Sequence, residues 1–120
     1  MKTAVDLVAT ARGQVENLPP MAVAAELDAG GVVLVDVREP EEFVGELGHI
    51  EGSLLVPMDA LERRLPKLAG YVDRDVVVVC RAGARSASAG AILRRAGFRQ
   101  VYNLGGGLLA WGAAGLPVQR

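Results

Sequence analysis

Chemistry is concentrated in one heptapeptide, Cys80-Arg81-Ala82-Gly83-Ala84-Arg85-Ser86, which follows the all-valine run Val76 to Val79. A helix beginning near Ser86 would aim unpaired backbone N–H groups and a positive dipole end at the cysteine. Gly83, between two alanines, lets the loop curl so that successive amides converge on one anion. Arg81 and Arg85 add two permanent positive charges. Features of this kind pull a cysteine from about 8.5 to roughly 3.5–7.5, and the thiolate is the nucleophilic form. The residues therefore suit attack by Cys80 on an anionic substrate. The plainer alternative is a buried, inert cysteine that merely ends a strand.

The chain has one cysteine and one histidine. A lone thiol forms no internal disulfide, and one Cys with one His cannot supply the four ligands of a structural zinc. Any chemistry at Cys80 must use an outside partner rather than a resolving cysteine.

The elements that would position this loop read as follows. Ala4, Val8, Ala11 and Val15 have helical spacing, and Asp6 stands three residues after Thr3, so an amphipathic helix is expected over 3–15. Asn17-Leu18-Pro19-Pro20 ends it, and Pro20 opens a second helix to about Asp28, closed by Gly30-Gly31. Val32 to Val37 suits a strand buried on both faces. Pro40 opens a short acidic helix to about Leu47, and Ser53 to Val56 is a strand candidate. Met58, Leu61, Leu65 and Leu68 mark a helix face that Pro66 should kink or break near its end. Asp75 to Val79 is the strongest strand signal. Ala89, Ile92, Leu93 and Ala96 place a helix over about Ser86 to Ala96, with Gly97 past its end. Gln100 to Asn103 is a last strand and Leu108 to Ala114 a last helix, and a fifth strand fits near Glu16–Leu18. Strands alternating with helices imply an α/β domain with a four- to five-stranded parallel sheet and helices on both faces. In such sheets ligands bind beyond the carboxyl ends of the strands, where Cys80 stands. Residues 1–17 read as a helical extension and 18–120 as the domain.

The chain of 120 residues is one domain in size, with half its residues apolar and a net charge of −1. Charge is unevenly spread: residues 1–60 hold eleven acids and three bases, and residues 61–120 hold three acids and ten bases. A basic half could steer an anion, unless the halves interleave in the fold. The bases form no long run and few aromatics accompany them, so nucleic-acid binding is not expected. No apolar stretch is long enough to span a membrane, and the N-terminus lacks an export signal, so the cytoplasm is the expected location.

Cys80 to Ser86 resembles the active-site loop of the rhodanese family. It is accompanied by Asp36-Val37-Arg38 with Pro40, Glu42 and Phe43, by Gly48-His49-Ile50-Glu51-Gly52-Ser53, and by Leu104-Gly105-Gly106-Gly107 with Trp111. Together these fragments span about residues 32 to 117. The resemblance implies a sulfurtransferase in which the Cys80 thiolate takes the outer sulfur of thiosulfate or a similar donor as a persulfide. Cyanide, a small thiol or a protein thiol would then accept that sulfur. It implies that loop residues Arg81, Ala82, Gly83, Ala84 and Arg85 hold the persulfide and donor, and it implies no metal or organic cofactor. Asp36, Arg38 and Ser86 are expected to support the site, with Arg38 pairing to Glu42 across a turn. His49 is expected to form structural hydrogen bonds and Trp111 to pack in the core. The related folds also host cysteine phosphatases, but those carry Cys-x5-Arg, and here Arg85 is only the fifth residue after Cys80. A persulfide carrier for a biosynthetic partner and a non-catalytic binding module remain as alternatives.

Overall fold

The computed structural model describes residues 15–120. Five strands, β1 (Glu16–Leu18), β2 (Val32–Asp36), β3 (Leu54–Leu55), β4 (Asp75–Val79) and β5 (Gln100–Leu104), form one sheet in the order β1-β5-β4-β2-β3. Every pairing is parallel, as an α/β chain requires. Among the described residues five α-helices accompany them: α1 (Pro20–Asp28), α2 (Pro40–Phe43), α3 (Leu61–Leu68), α4 (Ala84–Arg95) and α5 (Gly107–Ala113).

The valine run of β4 explains its central place. Successive side chains of a strand point to opposite faces, so a strand covered on both sides must be apolar throughout. Val76 and Val78 pack with Leu61 and Leu68 of α3 and with Ala89 and Leu93 of α4. Val77 and Val79 pack on the other face with Val23 of α1 and with Leu108 and Trp111 of α5. The register Val35↔Val78 and Asp36↔Val79 brings the end of β2 level with the end of β4. Val78↔Asn103 does the same for β5. Three carboxyl ends thus converge beside Cys80.

Several boundaries differ from the sequence expectation. Strand β1 lies at Glu16–Leu18, where a fifth strand is expected, but Glu16 and Asn17 pair with Tyr102 and Asn103, so the sheet begins inside the residues assigned to the extension. The helix expected over 3–15 lies, but for Val15, outside the described residues. The acidic helix stops at Phe43 rather than Leu47. Arg38 explains this: its Nη1 donates to Glu42 O at 3.1 Å and its Nη2 to Gly48 O at 2.7 Å, drawing the segment into a loop around the guanidinium. Pro66 stands inside α3, which gives way two residues later to a 3-10 turn at Ala69–Tyr71. Helix α4 starts at Ala84, two residues earlier than expected. Gly83 at φ +104 turns the chain straight into it, a left-handed conformation that glycine adopts at little cost. Only Arg81, Ala82 and Gly83 then separate Cys80 from the helix.

Candidate active site

Cys80 lies at the bottom of this turn and is only 1% exposed. The Gly83 N–H donates to Sγ at 3.0 Å, and the Ser86 hydroxyl lies 3.3 Å from the same sulfur. Burial pushes the thiol up, but the Ser86 hydroxyl and the backbone N–H groups of Ser86, Gly83 and Ala82 outweigh it. The pKa falls below its ordinary value. The donors that hold the sulfur are neutral dipoles at a helix start rather than the two arginines.

The arginines are placed differently from each other. Arg85 forks onto Glu42, with Nη1–Oε1 at 2.7 Å and Nη2–Oε2 at 2.8 Å. Arg81 is exposed and, among the described residues, its side chain makes no hydrogen bond or ion pair. It lines a cleft of about 350 Å³ together with Arg38, Glu42, Glu46, Leu47 and Leu109. A larger cavity of about 410 Å³, lined among others by Leu27, Trp111 and Val118, includes no residue of the Cys80 loop. Among the described residues no cluster of His, Cys, Asp and Glu could hold a metal ion.

Arg38 does not pair with the Glu42 carboxylate as expected. It forms a buried ion pair with Asp36, at 1% and 0% exposure. Its Nε donates to Oδ1 and Oδ2 at 3.0 and 3.2 Å, and Nη2 donates to Oδ2 at 2.9 Å. The glutamate is free for Arg85 because Arg38 spends its other donors on carbonyls. His49 stacks on Phe43 with ring centroids 3.8 Å apart, and its Nδ1 lies 2.8 Å from Phe43 O. Trp111 is buried and donates its Nε1–H to Pro117 O at 2.9 Å. Asn103 was not anticipated. Its side chain meets Ser86 and Gly83, the two residues that touch the sulfur. An asparagine within a buried strand is unusual enough to have been a signal.

The Arg85 hydrogen bonds lower the Glu42 carboxyl from 4.5 to about 2, assisted by the Glu39 N–H and by Arg38. A lowered acid stabilises the fold above its ordinary value, and that contribution is lost as pH falls from 4.5 toward 2. Arg85 is 39% exposed, so water screens the pair and its worth is at most about 1 kcal/mol. Glu42→Gln should therefore lose up to about 1 kcal/mol in urea unfolding at pH 7. The gap from wild type should close as the solution is acidified through this window. A gap that persists under strong acid would show that the charge is not its source.

The rhodanese-like domain family matches residues 20–114. The chain belongs to the rhodanese-like family. A sulfurtransferase of Allochromatium vinosum is 43% identical over 91 residues, covering 76% of this chain and 81% of that protein. An HTH-type transcriptional regulator of Mycobacterium tuberculosis is 43% identical over 120 residues, covering 94% of this chain but only 51% of the regulator. The structure of a thiosulfate sulfurtransferase from Pseudomonas aeruginosa superposes with a TM-score of 0.79 at 30% identity, over 96% of this chain and 22% of that one. The rhodanese-like fold is thus shared with sulfurtransferases and with proteins about twice this length or more. No helix among the described residues is long and apolar enough to cross a membrane.

Proposed function

We propose that this chain is a sulfurtransferase that carries a sulfane sulfur as a persulfide on Cys80. The Cys80 thiolate attacks the outer sulfur of thiosulfate or a related anionic donor. The donor's sulfur–sulfur bond breaks, and sulfite leaves with the bonding pair. A thiolate or cyanide then attacks the outer sulfur of the persulfide, and Cys80 returns as thiolate. The carrying observation is the sulfur itself, sunk at the end of β4 with the Gly83 N–H at 3.0 Å and a lowered pKa. Loop amides from Ala82 to Ser86 hold the anion at each stage. Arg81, exposed at the cleft, draws the donor, while Arg85 braces the start of α4 through Glu42. No cofactor is needed, because the cysteine sulfur is the nucleophile of the first displacement and the leaving group of the second. A reducing cytoplasm would keep the lone thiol available.

Phosphoryl transfer is the weaker reading. In Cys-x5-Arg enzymes the arginine forks onto the phosphoryl group. Here the ring is one residue short, and Arg85 forks onto Glu42 instead. A second reading keeps the chemistry but gives the sulfur to a protein partner. It is favoured by the likeness to half of a longer regulator.

The test is the intact mass of the protein after incubation with thiosulfate and desalting. One added sulfur atom is expected, removed by cyanide with formation of thiocyanate and missing from Cys80→Ala. No adduct from thiosulfate or from a low-molecular-weight persulfide would overturn the proposal.

A further inference from the structure

A line of hydrogen-bonding groups runs from the buried sulfur to the surface across the ends of β4, β5 and β1. Ser86 is fully buried and Asn103 is 4% exposed, whereas Asn17 is exposed. The Ser86 hydroxyl meets three acceptors: Cys80 Sγ at 3.3 Å, Gly83 O at 3.1 Å and Asn103 Oδ1 in close contact. The Asn103 Nδ2 donates to Asn17 Oδ1 at 2.7 Å and to Gly83 O at 3.3 Å. The parallel register Asn17↔Asn103 sets the two amides side by side.

A hydroxyl has one proton, so these contacts cannot all be made at once. With Cys80 as a thiol, its S–H donates to Ser86 Oγ and the Ser86 proton passes to Asn103 Oδ1. A negative sulfur donates nothing and instead demands the Ser86 proton. The Asn103 amide, turned over, would then donate N–H to Ser86 Oγ and present its oxygen to Asn17. Asn17 is exposed and free to turn its own amide to match. Gly83 O keeps the Ala87 N–H at 3.3 Å, so the reversal strands no buried carbonyl. The whole line can therefore point toward the sulfur when it is charged and away when it is neutral.

We propose that Asn103 is a positioning residue for the reacting sulfur, acting through Ser86: the orientation of its amide decides whether the Ser86 hydroxyl faces Cys80. The inference rests on Cys80 being the reacting sulfur. Its test reads the thiolate directly and so fails separately from sulfur transfer. The charged groups around the sulfur are Arg81, Arg85 on α4, the Asp36–Arg38 pair at the end of β2, and Glu42 held by Arg85. Helix α5 and strand β5 carry no charged residue, and the charged side chains of α3 are exposed. None of these groups is altered in the variants below.

The pH dependence of Cys80 alkylation by iodoacetamide, paired with thiolate ultraviolet absorbance, is measured for four variants. Asn103→Asp can accept from Ser86 but, ionised, cannot donate, and it adds a negative charge. Its half-maximal alkylation should move up by about one pH unit, roughly tenfold slower at pH values below the wild-type midpoint. Asn103→Ala should shift the same way by less, and Ser86→Ala should shift upward too. In the Ser86→Ala background, Asn103→Ala should add nothing, since the residue through which it acts is gone. A folded Asn103→Asp that titrates as wild type would overturn the proposal. If Asn103→Asp does not fold, the alanine cycle decides, and equal shifts from Asn103→Ala with and without Ser86 would overturn it.

Discussion

Replacing Arg38 with methionine is expected to cost about 3–5 kcal/mol of folding stability. Asp36 is 0% exposed, and the forked guanidinium supplies three of its hydrogen bonds. Methionine fills much of the space but leaves a carboxylate in the core with, among the described residues, only the Arg38 backbone N–H at 3.0 Å as donor. It also strips donors from Glu42 O and Gly48 O. Unpaired buried charge, rather than lost attraction, dominates the cost. For a domain of this size the loss should lower Tm by roughly 12 °C or more. Adding Asp36→Asn should return part of it, because the stranded charge disappears. A single Arg38→Met variant within about 1 kcal/mol of wild type would show that the pair is solvated or dispensable.

The loss would not stay at β2. Arg38 holds the backbone of Glu42, and the Glu42 side chain holds Arg85 in the first turn of α4. One residue thus ties the end of β2 to the helix that supplies Ser86 to the sulfur. Loosening Arg38 should blunt the thiolate as well as the fold.

What the sequence reveals follows from how local each feature is. The Cys80 site is legible because strand end, glycine turn and helix start are consecutive residues, each with its own signal. Strands β2 and β4 are legible because burial on both faces demands an unbroken apolar run. Helix α1 is legible to the residue, from Pro20 to Asp28. Side-chain partners are another matter. Glu42 lies four residues from Arg38 and forty-three from Arg85, yet the carboxylate goes to the distant arginine. Only the sheet order places α4 beside α2, and no pattern in either segment records it. The same holds for Asn103, whose part depends on β5 lying next to β4 with the register Val78↔Asn103.

Gly107→Ala should be comparably destructive, though alanine is ordinarily the better helix residue. Gly107 has φ +61, a conformation costing an L-residue about 1–2 kcal/mol. The larger obstacle is contact: a Cβ there would fall on the carbonyl group of Arg81 and lie 2.5 Å from Cys80 O. Both are backbone and cannot rotate aside. Helix α5 would have to lift, breaking Leu108 N–H to Cys80 O at 2.9 Å and Leu109 N–H to Arg81 O at 3.0 Å. Each such bond is worth about 1 kcal/mol, and the buried Leu108 and Trp111 would move with them. A total near 3–5 kcal/mol is expected, with slower Cys80 alkylation because the loop loses its support. Gly112→Ala in the same helix is the control, since a Cβ there meets nothing within 4 Å. It should leave stability unchanged or raise it by up to about 1 kcal/mol. If the two variants unfold at the same temperature, close packing of α5 on the Cys80–Arg81 peptide does not hold the loop in place.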